Sequence, residues 1–233
     1  MLAVDPVYKD NVEDIIDDVI VMFIAGSKTV QATTTNFFTH MLHRPEVKAK
    51  VDAELTQFLE KCEEDFMDLM TTESVEELEY LRQCFYEVLR FDTPIPSGST
   101  STFSRDVTIG GVTFKKGVAF FTAMSEIHRN PKEWVEPHTF NPERFDSSST
   151  WFKRPDGSNR NSLAFNPFLG GKRVCLGKTF AETVLKFTLP LFWHHFDIEF
   201  ATEEHKTNRP HLEVLSISTP VIPVNFITKN KVN

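Results

Sequence analysis

The chain has 233 residues, 40% hydrophobic and 25% charged, with a net charge of −8. Those values describe a globular domain with a sizeable core, and the acidic balance argues against nucleic acid as a partner. Three widely spaced cysteines, Cys62, Cys84 and Cys175, argue against a disulfide framework and for a reducing compartment. Zinc is set aside because the sequence holds no Cys-x-x-Cys or His-x-x-x-His pair. Asp5, Lys9, Asp10, Glu13 and Asp14 interrupt any secretory pattern at the start, and the longest apolar run, Val19 to Ala25, is far too short to span a bilayer.

The first element is one long helix from about Asn11 to His43, in which Val12, Ile15, Ile16, Val19, Ile20, Phe23 and Ile24 recur at helical spacing. Pro45 starts a second helix that runs to about Lys61. The acidic stretch from Glu63 to Glu79 reads as a solvated loop with a short helix. A helix from Val75 or Leu78 to Arg90 follows, and Pro94 and Pro96 prevent its continuation. Val-Thr-Ile, Gly110-Gly111 and Val-Thr-Phe between Asp106 and Val118 form a hairpin signal. A short helix covers Thr122 to His128, and Glu136 to Pro167 is irregular. The next helix runs from Gly177 to His194. The tail, Phe196 to Lys231, alternates prolines with short β-prone runs and fits an antiparallel terminal sheet.

The most informative residues are Phe168 to Gly177, Phe-Leu-Gly-Gly-Lys-Arg-Val-Cys-Leu-Gly. Cys175 stands in a loop of small residues just before a helix, where the dipole and the unpaired amides favour a thiolate. Gly171 and Gly177 leave room for a flat, bulky group beside the backbone. Arg173 brings a fixed charge that can hold a carboxylate. A lone buried cysteine is the plain alternative.

The run Phe168-x-x-Gly171-x-Arg173-x-Cys175-x-Gly177 resembles the haem-binding signature of the cytochrome P450 family at every fixed position. The resemblance extends over nearly the whole chain from about Val12. It implies a mainly α fold with small β-sheets, with 1–233 forming the carboxy-terminal portion of one haem domain whose amino-terminal part is absent. It implies haem b as cofactor, with Cys175 as the metal ligand and Phe168, Gly171, Arg173, Gly177 and His128 also on the cofactor. Ala25-Gly26-Ser27-Lys28-Thr29 resembles part of the oxygen-activation segment, with Thr29, Gly26 and Ala25 in catalytic positions and Lys28 where the family carries an acid. Ser101 stands where the family often has an arginine for the propionates. Glu87, Arg90 and Arg144, the last in Pro-Glu-Arg-Phe, resemble a buried network that locks the loop before the cysteine.

The activity so implied is a haem-thiolate monooxygenase that inserts one oxygen atom from O2 into an apolar small molecule. Electrons would come from a separate reductase, because no flavin or nicotinamide fingerprint is present, and Lys172, Lys178 and Lys186 are candidates to meet it. Membrane contact would be made only through a missing amino-terminal anchor, at the cytosolic face of the endoplasmic reticulum in a full-length eukaryotic form. Two other readings stay open: a truncated or inactive haem-binding protein, and a haem-thiolate isomerase or dehydratase.

Overall fold

The computed structural model describes residues 11–61, 66–207, 211–214 and 217–229. Expectations that touch Asp5, Lys9, Asp10, Cys62, Glu63 and Lys231 lie outside the described residues. Helix α1 spans Val12–His43. The side-chain oxygen of Asn11 accepts the Asp14 amide at 3.3 Å and so satisfies one of the open donors of the helix start. Pro45 sets its end. The residue before a proline is pushed out of the helical region, and Arg44 sits at φ −134°, ψ 79°. Pro45 then begins α2, Pro45–Leu59.

The character of α1 changes along its length. Phe23 is 74% exposed and Phe37 is 0% exposed. The second half packs into a core with Val47, Val51 and Leu55 of α2 and with Leu185, Leu189 and Trp193 of a later helix. Phe38 stacks on Trp193 with ring centroids 6.0 Å apart. The indole N–H of Trp193 donates to Asp52 Oδ1 at 2.6 Å, so the ring is buried without an unpaired donor.

The acidic stretch is only partly a solvated loop. It holds α3, Phe66–Leu69, and a 3₁₀ turn, Ser74–Glu77. Val75 and Leu78 are buried while Glu73, Glu76 and Glu77 face water. The acids keep the segment wet, and two apolar residues tie it to the core. Helix α4, Glu79–Phe91, begins after Leu78, whose ψ of 67° breaks the helix. Its first amides are capped from α2: Tyr80 and Leu81 N–H donate to Glu54 Oε1 and Oε2 at 2.6 and 2.8 Å.

Four short strands follow: β1 (Thr100–Thr102), β2 (Val107–Ile109), β3 (Val112–Phe114) and β4 (Ala119–Phe121). β2 and β3 form the hairpin, with Gly110 and Gly111 at φ +58° and +82°. β1 and β4 pair antiparallel outside it. Sequence reading missed that pair because three-residue strands are too short to show alternation. Helix α5 covers Met124–Ile127, and α6 covers Lys178–His195 and continues through Pro190. The tail contains β5 (Phe196–Phe200), α7 (Glu204–Thr207), β6 (His211–Val214), β7 (Ile217–Pro220) and β8 (Val224–Thr228). β5 pairs with β8 and β6 with β7, so the expected terminal sheet is two separate antiparallel ribbons. The fold is mainly helical with small sheets. Among the described residues no helix is long and apolar enough to cross a membrane.

Candidate functional site

Helix α4 places Glu87 and Arg90 one turn apart, both side chains 0% exposed. Arg90 Nε–H and a terminal N–H donate to the two Glu87 oxygens at 2.7 Å each. The Asn141 amide donates to Glu87 Oε1 at 2.7 Å, and Arg144 Nε lies 3.4 Å from the same oxygen without hydrogen-bond alignment. One carboxylate between two guanidinium groups leaves an excess positive charge. Backbone carbonyls take it up. Arg90 donates to His128, Pro137 and Thr139 carbonyls at 2.9, 2.9 and 3.2 Å. Arg144 donates to the Val135 carbonyl and to Glu136 and Thr139 carbonyls at 2.7 and 2.9 Å. Both guanidinium groups also lie over rings, Arg90 at 5.1 Å from Trp134 and Arg144 at 4.8 Å from Trp151. Burial pushes the Arg144 pKa down, against the pull of Glu87.

Further residues that sequence reasoning did not single out complete this shell. Glu133 accepts the Asn161 amide at 2.9 Å and pairs with Arg154, and the amide bond leads in holding its carboxyl below the usual range. Arg160 lies 4.1 Å over Trp134 and donates to the Arg144 carbonyl. Burial, joined by repulsion from Arg144, lowers the Arg160 pKa to about 10. These partners lie far apart in an irregular segment, where no periodic signal could have found them.

His128 sits inside this shell and not at a surface. It is 0% exposed, and its Nε2 accepts the Asn166 amide at 3.3 Å. Burial first, and the Arg90 charge second, push its pKa down to about 4. A neutral, enclosed imidazole is a poor partner for a propionate. His128 ties the segment before Phe168 to the network through Asn166.

Phe168 is half-buried against the core, and the loop after it is exposed. Leu169 and Gly171 both adopt left-handed backbone, at φ +62° and +65°. The conformation itself calls for glycine at 171, and a Cβ there would meet nothing within 4 Å. Leu169 holds the same region with a side chain, which stores strain in the loop. A 3₁₀ turn, Gly171–Arg173, lifts Arg173 into solvent. The Cys175 amide then donates back to the Phe168 carbonyl at 2.8 Å and closes the loop. Cys175 is exposed and precedes the first turn of α6, whose N-cap, Gly177, offers no side-chain bond to the helix amides. Cys175 thus stands just before the amino-terminal end of α6. A Cβ on Gly177 would stand 3.9 Å from the Cys175 Sγ. Cys84 differs on every count: it is enclosed, and burial pushes its thiol well above the ordinary value.

Ala25, Gly26 and Thr29 lie on the exposed half of α1. The Thr29 hydroxyl donates to the Ala25 carbonyl at 2.7 Å, leaving its oxygen lone pairs available as acceptors. A Cβ on Gly26 would meet nothing within 4 Å. No hydrogen bond or ion pair among the described residues joins Ala25–Thr29 to the Phe168–Gly177 loop. Of the three lysines considered for a partner, Lys186 is paired with Glu76, while Lys172 and Lys178 make no ion pair among the described residues.

The family model for cytochrome P450 matches residues 8–226. The chain is 32% identical over 195 residues to cytochrome P450 71A8 of Mentha piperita, and 32% identical over 198 residues to 5-epiaristolochene 1,3-dihydroxylase of Nicotiana tabacum. Each match covers 84% of this chain and 36% of the relative, so the chain spans little more than a third of these relatives' length. Among solved structures, a mutant cytochrome P450DA heme domain superposes with a TM-score of 0.78 at 25% identity, over 94% of this chain and 45% of that one. A retinoic acid-bound cyanobacterial CYP120A1 gives 0.74 at 25% identity, over 91% and 45%. A family match that runs through both the Glu87–Arg90 helix and the Cys175 loop settles the membership: this chain belongs to the cytochrome P450 family.

Proposed function

We propose that this chain is the carboxy-terminal, haem-thiolate portion of a monooxygenase domain that inserts one oxygen atom from O2 into an apolar organic substrate. The observation that carries the proposal is the setting of Cys175: an exposed sulfur at a helix N-terminus, in a loop tied down through Phe168. Among the described residues no cluster of His, Cys, Asp and Glu suits a metal. A metal at Cys175 would therefore bring its other ligands with it, as haem does. The exposed apolar side chains of Leu176, next in the chain to Cys175, and Phe180, in the first turn of α6, fit a largely apolar macrocycle. Haem b, when bound, supplies the dioxygen chemistry, and a thiolate ligand favours O–O cleavage.

The residues of this chain then divide the remaining work. Cys175 ligates from its place just before α6. Phe168 shields one side of the sulfur. Arg173 offers a charge to a propionate, and Gly171 and Gly177 keep the loop low. Thr29 holds a proton or water at its Oγ1, and Ala25 and Gly26 keep that stretch of α1 small. Glu87, Arg90 and Arg144 position the loop and do not react. Electrons come from a separate reductase, for which Lys172 and Lys178 remain available. The exposed first half of α1 is the surface that the amino-terminal part of the domain covers. In a full-length eukaryotic form, an anchor in that part holds the enzyme at the cytosolic face of the endoplasmic reticulum.

The test is the spectrum of the reduced, carbon monoxide-bound, haem-loaded protein. The parent is expected to show the red-shifted thiolate band, and Cys175→Ala to lose it. An unchanged band in Cys175→Ala, or no thiolate band in the parent, overturns the ligand assignment. Reductase-driven oxygen uptake with product supports monooxygenation. The thiolate band without oxygen uptake overturns that activity in favour of an inactive haem binder or an isomerase.

A further inference from the structure

His40, in the buried half of α1, is 0% exposed and is held at both ring nitrogens. Its Nε2 lies 2.7 Å from Asp92 Oδ2, just past α4. Its Nδ1 lies 2.8 Å from a terminal nitrogen of Arg44, in the turn between α1 and α2. A guanidinium group has donors only. Nδ1 is therefore the acceptor, and the ring proton sits on Nε2, where it donates to Asp92. Phe140 stacks on the imidazole at 4.6 Å, and Phe91 meets it edge-on at 5.4 Å. Arg44 also lies 4.4 Å from the centre of the Phe140 ring.

Charged groups reach this ring from the elements around it. Asp92 follows α4, and Asn36 of α1 fixes it by donating to its carbonyl at 3.1 Å. Arg129, after α5, donates to the Phe91 carbonyl and stands 3.8 Å from Asp92 Oδ1. Arg90 and Arg129 lie 5.5 and 5.4 Å from the centre of the Phe91 ring. One carboxylate thus already serves both His40 and Arg129. A proton added to His40 must go to Nδ1, the position that Arg44 occupies. The proton and Arg44 compete for the same lone pair, and their charges repel. Arg44 is half-buried beside exposed Pro45 and Glu46, so it has a short way to water.

We propose that His40 and Arg44 form a proton-operated latch: neutral His40 keeps Arg44 inside against Phe140, and a proton on His40 Nδ1 sends Arg44 into solvent and loosens Phe140. Histidine is the side chain whose charge changes in the physiological range, and a switch needs two exclusive arrangements of one packed element. Phe140 precedes Asn141, whose amide donates to Glu87 Oε1 at 2.7 Å. The latch therefore ends at the buried Glu87 network. It needs neither Cys175 nor a bound cofactor, so it stands or falls apart from the haem reading.

The test is nuclear magnetic resonance of the 233-residue protein between about pH 8 and about pH 5. It follows the His40 ring nitrogens, the Arg44 guanidinium and the exchange protection of the Asn141 amide. At the alkaline end His40 is expected as the Nε2–H tautomer with Arg44 immobile. As His40 takes up its proton, Arg44 should become mobile with the same midpoint, and Asn141 protection should fall about tenfold, the scale of one lost contact. Arg44→Met is expected to lower Asn141 protection already at the alkaline end and to raise the His40 midpoint by about 1 pH unit. An Nδ1–H tautomer at the alkaline end, an Arg44 side chain unmoved through the His40 titration, equal Asn141 protection in parent and Arg44→Met, or unfolding before His40 takes up its proton overturns the proposal.

Discussion

The surroundings of Glu87 and those of Cys175 are built in opposite ways. Around Glu87, charged groups are sealed inside: Glu87, Arg90 and Arg144 are each 0% exposed, and carbonyls of the 135–139 segment take the surplus N–H groups. Around Cys175, apolar groups stand outside: Leu176 is 85% exposed and Phe180 64%. The first region is closed to solvent, so changes there act on folding. The second has little to lose in this chain alone, so changes there act on the proposed binding. A protein that seals its costliest electrostatics inside, and leaves the loop open, keeps a rigid support beside an exposed surface.

The largest expected effect tests that division directly. Glu87→Ala leaves two buried guanidinium groups with one counter-charge removed, which costs about 3–5 kcal/mol. Leu176→Ser on the open side costs within about 0.5 kcal/mol, as surface changes usually do. Urea unfolding of both variants measures the difference. Equal losses would mean that the loop and the network are one cooperative body. Total stability of a domain is about 5–15 kcal/mol, so Glu87→Ala should reach the edge of folding.

His128 gives the next effect. Its ring is neutral in the fold because burial and Arg90 lower its pKa to about 4, from an ordinary value of 6.5. The unfolded chain therefore takes up the proton first as pH falls. The contribution of His128 to stability declines from about pH 6.5 and levels off below about pH 4, for a total of about 3 kcal/mol. His128→Asn removes the titration while keeping an acceptor for the Asn166 amide. Urea midpoints at pH 7 and pH 4.5 should fall further in the parent than in the variant. Parallel losses would place His128 in a solvated setting and weaken the contrast between the two regions.

What could be read beforehand follows the range of each interaction. Apolar spacing and Pro45 mark α1 and its end, and Gly110-Gly111 marks the hairpin, because each acts within a few residues. The fixed residues of the loop and of α4 point to where chemistry is concentrated. The connections between distant segments leave no such trace. Glu54 caps α4 from another helix. Arg160 supports Arg144 through a carbonyl. Asn166 joins His128 to the approach to Phe168. A histidine in a short helix gives no sign of whether it faces a ligand or the interior, and its enclosure follows only from packing. Lys186, one of three lysines with the same sequence setting, is withdrawn from a partner surface by Glu76, far away in the chain.

The smallest effect on stability sharpens the comparison most, because fold and proposed function should move in opposite directions. Thr29 lies on the open half of α1, and its hydroxyl donates to the Ala25 carbonyl, a bond that adds little to a helix. Alanine is the better helix former, so Thr29→Ala should raise stability by about 0.5 kcal/mol. In haem-loaded protein driven by a reductase, the same change removes the oxygen proposed to hold a proton or water. The share of reducing equivalents lost as peroxide should then rise, and Thr29→Ser should restore the parent ratio. Peroxide and product are measured together on one substrate. A more stable Thr29→Ala variant with an unchanged ratio would leave Thr29 a helix residue without a part in proton handling.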